Sequence, residues 1–363
     1  MPFSDFHGNS ETVTRLREMI ARRRLPHAVI LAGPRGAGKY TLAQMAAKAM
    51  NCLDQPRENG LAEFCGRCSN CTRIAQADDF EARFHEAVEA REGLKETDKK
   101  DTRIFVQTHP DVLIIPADPP QMMIKVGQVR HVIGTIYYRP GEGRERVYIF
   151  TCTAFIREAE NALLKVLEEP PEFATLFLLA ENPGELLPTI RSRCVTLTLG
   201  ALPVADIEKY LARRPELAAR QRALIARLAE GAIGRARSFD LAAYIAARTD
   251  ALALLKSAIS AEDHSALFRV TETYRAGAEG REKTDQLLRA LYLLLEDLMF
   301  ARSGATELIR NVDIAPDLTR LAGSIDFPWL AAAAQGLAEV ERGMRRNLLR
   351  SLSLDAFAVS LER

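Results

Sequence analysis

The sequence has no apolar run that approaches the roughly 18 residues needed to cross a bilayer. Its N-terminal residues also lack the basic start, the long apolar stretch and the small-residue cleavage site of a secretory signal peptide. These absences exclude the membrane-spanning and secreted classes. The sequence therefore predicts a cytoplasmic protein without a membrane partner.

Low-complexity tracts and a strong net charge are also missing. The 363 residues are 47% hydrophobic and 27% charged, and the formal net charge is +1. A nearly neutral chain has no global field that draws it to nucleic acid, so any contact with DNA would come from a local basic patch or from partner proteins. The length predicts two or three domains, each able to bury a core of its own.

Short apolar runs alternate with helical patterns in the N-terminal half of the chain. The helical patterns lie at residues 126–137 and 155–169. The apolar runs are AVILAG (28–33), DVLIIP (111–116), RVYIF (146–150) and ATLFLLA (174–180). Strands that alternate with helices in this way predict a doubly wound α/β fold, with a parallel sheet and helices on both faces.

The composition of the chain changes after residue 203. Residues 204–243 resemble a small cluster of short helices, and the chain from 244 to 363 is rich in alanine and leucine with helical periodicity. We predict an α/β domain over 1–203, a helical lid and an all-α C-terminal domain. A charged stretch at 78–107 is expected to be a surface insertion that is partly helical.

Residues 33–39, GPRGAGK, match the phosphate-binding loop as far as its lysine. In such a loop Gly33, Gly36 and Gly38 let backbone N–H groups converge on phosphate oxygens, and Lys39 offsets the phosphate charge. The loop lies between a predicted strand and a predicted helix, as this motif requires. The sequence predicts ATP or ADP here, and a glycine-rich turn without a ligand is the alternative.

Two positions that would hold Mg²⁺ are altered. An active loop has Ser or Thr after its lysine, but this chain has Tyr40, and Thr41 on a helix would point about 100° away from that position. A hydrolysing NTPase of this kind has Asp and Glu after its second strand, and here Thr151 and Cys152 follow residues 146–150. Thr41 is still included among the predicted nucleotide-binding residues, and we predict poor Mg²⁺ ligation and no hydrolysis by this chain.

Four of the six cysteines lie together, as Cys52-x12-Cys65-x2-Cys68-x2-Cys71. Such spacing lets four thiolates close on one tetrahedral ion, and in a reducing compartment thiolates favour Zn²⁺. An iron–sulfur cluster and free thiols are the alternatives. With four protein ligands the predicted zinc site is closed and structural, and it makes the region 52–71 a zinc module.

Several motifs in order resemble bacterial clamp-loader AAA+ subunits. They are LPHAVILAGPRGAGK, the four cysteines, HPDV, RVYIFTCTAFIREAENALLKVLEEPPEFATLFLLAEN and LLPTIRSRC. The resemblance extends over residues 1–200 and implies an AAA+ domain, followed by a lid and a C-terminal collar that holds subunits together. Motor subunits of this family keep an intact loop and an Asp-Glu pair, whereas stator subunits commonly have eroded versions. The resemblance therefore implies a stator.

The resemblance also implies a role for Arg193. In this family the arginine of the Ser-Arg-Cys motif is an arginine finger, which reaches into the ATP site of a neighbouring motor subunit. The implied partners are the motor subunits and the clamp-opening subunit, and through the complex the sliding clamp and primed DNA. Glu168 and Glu169 are expected to be solvated or ion-paired, and either Gly234 or Arg235 takes the place of the motor's nucleotide-sensing arginine.

Other interpretations of the sequence stay open. The chain could be a catalytically active ATPase motor subunit with unusual metal ligation, or a zinc-dependent DNA-binding module. Near-neutral charge and the absence of aromatic and basic clusters near Cys65–Cys71 argue against the second. Without the family context, Arg193 would be a surface arginine.

Overall fold

The structure is a computed structural model that describes residues 2–260, 271, 274, 278–345 and 350–361. The chain divides into two compact units. Unit 1 comprises Met1–Pro203 and Gly231–Arg235, and unit 2 comprises Val204–Glu230 and Ala236–Arg363. The division of the helical part into a lid (204–243) and a collar (244–363) stays a prediction.

Unit 1 contains every named strand of the part of the chain that the structure describes. The strands are β1 (Ala28–Ala32), β2 (Arg57–Glu58), β3 (Leu61–Ala62), β4 (Val106–His109), β5 (Val112–Ile115), β6 (Arg146–Phe150), β7 (Ala174–Ala180) and β8 (Val195–Thr198). Its helices are α1 (Ser10–Ala21), α2 (Lys39–Asn51), α3 (Ser69–Ala75), α4 (Phe80–Glu92), α5 (Glu96–Asp101), α6 (Val126–Thr135), α7 (Arg157–Glu168) and α8 (Pro188–Arg191). The four predicted apolar runs form β1, β5, β6 and β7.

Six strands form one sheet in the order β4-β5-β6-β7-β1-β8. All neighbouring pairs are parallel except β4 and β5, which are antiparallel. The predicted α/β fold is confirmed, and the sheet is mostly rather than wholly parallel because β4 reverses at one edge. The two edge strands, β4 and β8, were not predicted, because neither is a continuous apolar run.

Hydrophobic cores lie on both faces of the sheet, as a doubly wound fold requires. Alternate residues of β1 divide between them: Val29 and Leu31 belong to one core, and Ile30 belongs to the other. Residues of α1, α2 and α3 pack on the first face, and residues of α6, α7 and α8 on the second. Because β1 is buried on both faces, its last residue, Ala32, holds the start of the phosphate loop in place.

The charged insertion at 78–107 contains two helices, α4 and α5, and its last residues begin β4. Two ion pairs help attach it to the rest of unit 1. The ammonium of Lys48 on α2 lies 2.5 Å from the carboxylate of Asp78, and the guanidinium of Arg91 on α4 lies 2.5 Å from the buried carboxylate of Asp118. The charged composition predicted the helices but not these anchors.

The regular secondary structure that the structure describes for unit 2 is helical, with turns and loops between the helices. Its helices are α9 (Val204–Leu211), α10 (Ala219–Leu228), α11 (Ile233–Arg237, which begins in unit 1), α12 (Leu241–Ser260), α13 (Ala278–Ser303), α14 (Ala315–Ala322), α15 (Phe327–Arg345) and α16 (Arg350–Ser360). The leucines of α13 between residues 287 and 298 are buried in this unit's own core. Among the described helices, none combines the length and the apolar character that a bilayer crossing requires.

Candidate functional site

The phosphate loop connects β1 to α2 and depends on three glycines. Gly33, Gly36 and Gly38 have φ angles of 151°, 82° and 92°, a region that side chains other than hydrogen disfavour. A Cβ atom on Gly33 would also lie 2.3 Å from the carbonyl oxygen of Leu199. The backbone therefore has the left-handed turns that aim N–H groups at an anion, and the start of α2 at Lys39 gives the expected helix N-terminus.

The side chain of Lys39 folds back on this loop. Its ammonium donates hydrogen bonds to the carbonyl oxygens of Gly33, at 2.6 Å, and Pro34, at 2.9 Å. Burial lowers the pKa of this ammonium, the carboxylate of Glu181 opposes the shift, and the guanidinium of Arg35 adds to it. The lysine expected at the phosphates is therefore held by the loop's own carbonyls, and a phosphate would have to compete for it.

Residues 231–235 pack directly against the turn of the phosphate loop. The N–H of Gly234 donates a hydrogen bond to the carbonyl oxygen of Gly36 at 2.9 Å. A Cβ atom on Gly234 would lie 2.7 Å from that oxygen, so this close approach requires a glycine. Gly234, one of the two residues predicted to take the place of a nucleotide-sensing arginine, is thus a backbone contact of the loop. Whether Arg235 senses nucleotide stays a prediction to be tested.

Tyr40, where an active loop has Ser or Thr, points its hydroxyl at the protein. The hydroxyl donates to the carbonyl oxygen of Ala77 at 2.5 Å and accepts from the amide nitrogen of Gln44 at 2.9 Å. Its ring lies 5.1 Å from the ring of Phe80, centroid to centroid. Burial raises the pKa of this phenol. Tyr40 therefore ties α2 to the start of the charged insertion, and its hydroxyl is committed away from a metal.

The two residues that follow β6, Thr151 and Cys152, have no carboxylate to hold Mg²⁺. The N–H of Thr151 donates to the carbonyl oxygen of Ile115 at 3.1 Å, and burial raises the pKa of the Cys152 thiol. Thr41 lies half-buried in the first turn of α2. The carboxylate of Glu181, directly after β7, opposes the lowering of the Lys39 ammonium pKa that burial causes. The sequence did not indicate Glu181, because Glu181 comes near Lys39 only through the pairing of β7 with β1.

The four predicted zinc ligands come together. The sulfur atoms of Cys52, Cys65, Cys68 and Cys71 all lie within 4.8 Å of one another. Zn–S bonds near 2.3 Å in a tetrahedron place sulfur atoms about 3.8 Å apart, so this cluster is close to the required size. Burial raises the pKa of the Cys52 and Cys71 thiols. Burial acts on Cys68 in the same direction, but backbone N–H groups of Cys71 and Leu53 help lower the pKa of Cys68 to about 6, which favours the thiolate at that position. The donor set fits one Zn²⁺.

The zinc module is built from a helix end, a hairpin and a short helix. Cys52 follows the last residue of α2, and Cys68 and Cys71 lie at the start of α3. Asn59 and Gly60 connect β2 to β3 with φ angles of 52° and 80°, as a tight two-residue turn requires. Since α2 has 13 residues, the cysteine cluster lies about 20 Å along the helix from the phosphate loop. The four cysteines therefore lie at the opposite end of α2 from the phosphate loop.

Helix α3 of the zinc module is hydrogen-bonded to the loop that precedes β6, which contains Glu142 and Arg144. The side-chain amide of Asn70 on α3 donates to the carbonyl oxygens of Asn51, at 3.0 Å, and Glu142, at 3.3 Å. The guanidinium of Arg73 lies 2.5 Å from the carboxylate of Glu142. The guanidinium of Arg144 also donates to a carbonyl oxygen at the end of α2. A metal that orders α3 thus orders the approach to β6 as well.

Arg193 lies just after α8 and just before β8. Its guanidinium donates to the carbonyl oxygen of Thr189 at 2.9 Å and to a carboxylate oxygen of Glu168 at 2.9 Å. Its side chain is 35% exposed. Glu168 is thus ion-paired, one of the two states that the sequence predicted for it. Its partner was not predicted, because 25 residues separate the two along the chain.

Comparison with known proteins gives a consistent group of relatives. A profile of the family described as "DNA polymerase III, delta subunit" matches residues 8–203. DNA polymerase III subunit tau of Escherichia coli is 31% identical over 247 residues, which are 65% of this chain and 32% of that protein. DNA polymerase III subunit delta' of Pseudomonas aeruginosa is 31% identical over 188 residues, which are 52% of this chain and 47% of that protein. The chain therefore spans about a third to about half of the length of these two relatives.

Proposed function

The chain belongs to the family described as DNA polymerase III, delta subunit, within the clamp-loader AAA+ proteins, and we propose that it is a delta prime subunit. In this role it is a stator, which supplies Arg193 to the ATP site of a neighbouring motor subunit during loading of the sliding clamp onto primed DNA. The observation that carries the proposal is a contrast within unit 1. Arg193 is partly exposed, whereas the position that would hold Mg²⁺ carries Tyr40, whose hydroxyl donates to the carbonyl oxygen of Ala77.

The state of the chain's own nucleotide loop supports the stator role. A magnesium ion would need the hydroxyl that follows Lys39 and acidic residues after β6, and this chain offers Tyr40, Thr151 and Cys152 instead. The Tyr40 hydroxyl is engaged by Ala77. ATP or ADP can bind the glycine loop through backbone N–H groups, but Tyr40, Thr151 and Cys152 supply neither the metal ligands nor a base for hydrolysis.

The chemistry of Arg193 supports the second part of the proposal. A guanidinium is planar and always charged, and it presents five N–H donors, so it suits the charge that develops on a transferring phosphoryl group. Among the described residues, two acceptors hold it, and both leave part of the side chain exposed to a partner. The proposed partners are the motor subunits, the clamp-opening subunit and, through the complex, the clamp and primed DNA. The proposed location is the cytoplasm.

The test uses the complete clamp loader, reconstituted with this chain and its partner subunits. We expect Arg193→Ala to lower the ATPase that clamp and DNA stimulate by on the order of 10³-fold at the affected site, as removal of other arginine fingers does. The matched control is Arg191→Ala, an exposed arginine on α8, which should keep the rate. An unchanged rate with Arg193→Ala in a complex that still assembles would remove the finger from the proposal.

A motor subunit is the second candidate, because the relative of Escherichia coli named subunit tau is as similar to this chain as the delta' relative is. The altered residues at the magnesium position argue against it.

We do not propose a zinc-dependent DNA-binding module. Two arginines of the zinc module, Arg67 and Arg73, are paired with Asp54 and Glu142, so they offer little free positive charge to a phosphate backbone.

A further inference from the structure

We propose that Glu168 is a positioning residue for Arg193, which fixes the guanidinium in the orientation that a neighbour's nucleotide needs. This inference rests on the proposed function of Arg193 and adds a second residue to it. The carboxylate of Glu168 accepts from the Nη2 atom of Arg193 at 2.9 Å. The Nη1 atom donates to the carbonyl oxygen of Thr189 at 2.9 Å. Two fixed acceptors on different elements therefore define the plane of the guanidinium.

Helix α7 holds the arginine segment at both ends. At its start, the N–H of Leu187 donates to the carboxylate of Glu160 at 2.9 Å. At its end, Arg193 binds Glu168, which is eight residues further along the same helix. Eight helical residues span about 12 Å. One rigid helix thus sets the position of residues 187–193 by two carboxylates.

The place of Glu168 on its helix argues that its carboxylate is not there to stabilise α7. Glu168 is the last residue of α7, where the helix macrodipole disfavours a negative charge. Its side chain is 52% exposed, and an exposed ion pair contributes little to folding stability. The ion pair instead restricts the conformation of the Arg193 side chain. A long arginine side chain that is already fixed loses less conformational entropy when it meets a phosphate.

The guanidinium keeps donors for that phosphate. It has five N–H groups, and two acceptors within the described residues engage one N–H on each of its terminal nitrogens. Glu168 therefore does not have to leave when a phosphate binds. A residue that only orients the finger should affect the transition state more than substrate binding, so its loss should lower kcat and leave KM for ATP nearly unchanged.

The experiment measures kcat and KM for ATP in the complete clamp loader with four versions of this chain. We expect Glu168→Ala to lower kcat by about tenfold with KM within about twofold, a smaller loss than the roughly 100-fold that a 1 Å misplacement can cause. Glu168→Gln keeps an acceptor oxygen and should restore kcat to within about threefold of the native chain. Glu169→Ala is the matched control, since no contact in the described residues joins its carboxylate to Arg193, and it should leave both constants unchanged.

A double variant separates this inference from the function on which it rests. If Glu168 acts through Arg193, adding Glu168→Ala to Arg193→Ala should cause no further loss. A native kcat with Glu168→Ala would overturn the positioning role, and so would a further tenfold loss in the double variant. In either case a large loss with Arg193→Ala alone would still support the arginine finger. An unaffected Arg193→Ala complex would overturn both.

Discussion

The phosphate loop and the segment 187–193 both present one basic side chain beside backbone carbonyls, but the two side chains are held differently. Lys39 gives its ammonium to two carbonyls of its own loop and is half-buried. Arg193 gives one bond to a carbonyl and one to a carboxylate on another helix, and a third of its side chain stays exposed. The first side chain is held within its own loop, and the second is held by a neighbouring helix and stays partly exposed.

Under the proposed function, one AAA+ domain gives up hydrolysis at its own loop and still contributes Arg193 to a neighbouring site. The glycines that shape the loop are intact, because they also meet structural demands such as the contact of Gly36 with Gly234. At the metal-binding position after Lys39, the hydroxyl of Tyr40 contacts Ala77 instead.

After Arg193→Ala, the largest expected effect comes from replacing Arg193 with lysine, which keeps the charge but removes the planar fork. We expect Arg193→Lys to lower the ATPase of the complete clamp loader by on the order of 10²-fold or more, since lysine cannot bind phosphate oxygens in a bidentate way. Steady-state ATP hydrolysis with clamp and primed DNA measures it, with Arg191→Lys as the control. A rate close to native would mean that charge alone matters and that the geometry around Arg193 is incidental.

Loss of zinc should cause the next largest effect. It should lower the stability of the fold and leave the chemistry of Lys39 and Arg193 unchanged, so it separates structural from functional residues. We expect Cys65→Ser to release the metal and to lower the free energy of unfolding by about 3 kcal/mol or more, a fraction of the roughly 10–16 kcal/mol that zinc supplies to small zinc fingers. Denaturant unfolding, together with metal analysis of the purified chain, checks this. Cys152→Ser, outside the cluster, should keep the zinc. Equal zinc content in both variants would contradict the assigned ligands.

A smaller effect is expected at Tyr40. Tyr40→Phe removes the hydroxyl that binds Ala77 and should lower the free energy of unfolding by about 1 kcal/mol, the usual contribution of one hydrogen bond. The control is Tyr138→Phe, since Tyr138 is 66% exposed and should tolerate the change. If Tyr40→Phe were as stable as the native chain, the hydroxyl would be free for another role and the contrast with Arg193 would weaken.

The smallest effect is expected at Lys39. Lys39→Ala in this chain should leave the ATPase of the complete clamp loader within about twofold of native, because this chain's own site performs no hydrolysis step. The assay is the one used for Arg193, so the two variants can be compared directly. A loss as large as that of Arg193→Ala would show that nucleotide at this loop takes part in turnover, against the division of roles described above.

The sequence predicted the inner part of the fold well, for a physical reason. Strands buried on both faces must be continuous apolar runs, and β6 and β7 coincide with the predicted segments at 146–150 and 174–180. The edge strands have mixed patterns, VQTH at 106–109 and VTLT at 195–198, because one side of each lacks a neighbour. Such strands depend on the sheet already being present, so local pattern alone did not reveal them.

The candidate site shows the same division. Glycine spacing and cysteine spacing are local, so the phosphate loop and the four sulfur ligands could be predicted, and the cysteines do lie together. Contacts between distant residues could not be predicted. The Tyr40 bond to Ala77 spans 37 residues, and the Arg193 pair with Glu168 spans 25. Both depend on how helices pack on the sheet, which no single stretch of sequence encodes.

The central claim is that this chain contributes to ATP hydrolysis without performing it. Its most direct test is Mg²⁺-dependent ATP turnover by the purified chain alone, measured beside an intact motor subunit under the same conditions. We predict no turnover above the rate without protein, since Tyr40, Thr151 and Cys152 provide neither metal ligands nor a base. A rate near that of the motor subunit, abolished by Lys39→Ala, would contradict the account and identify the chain as a motor.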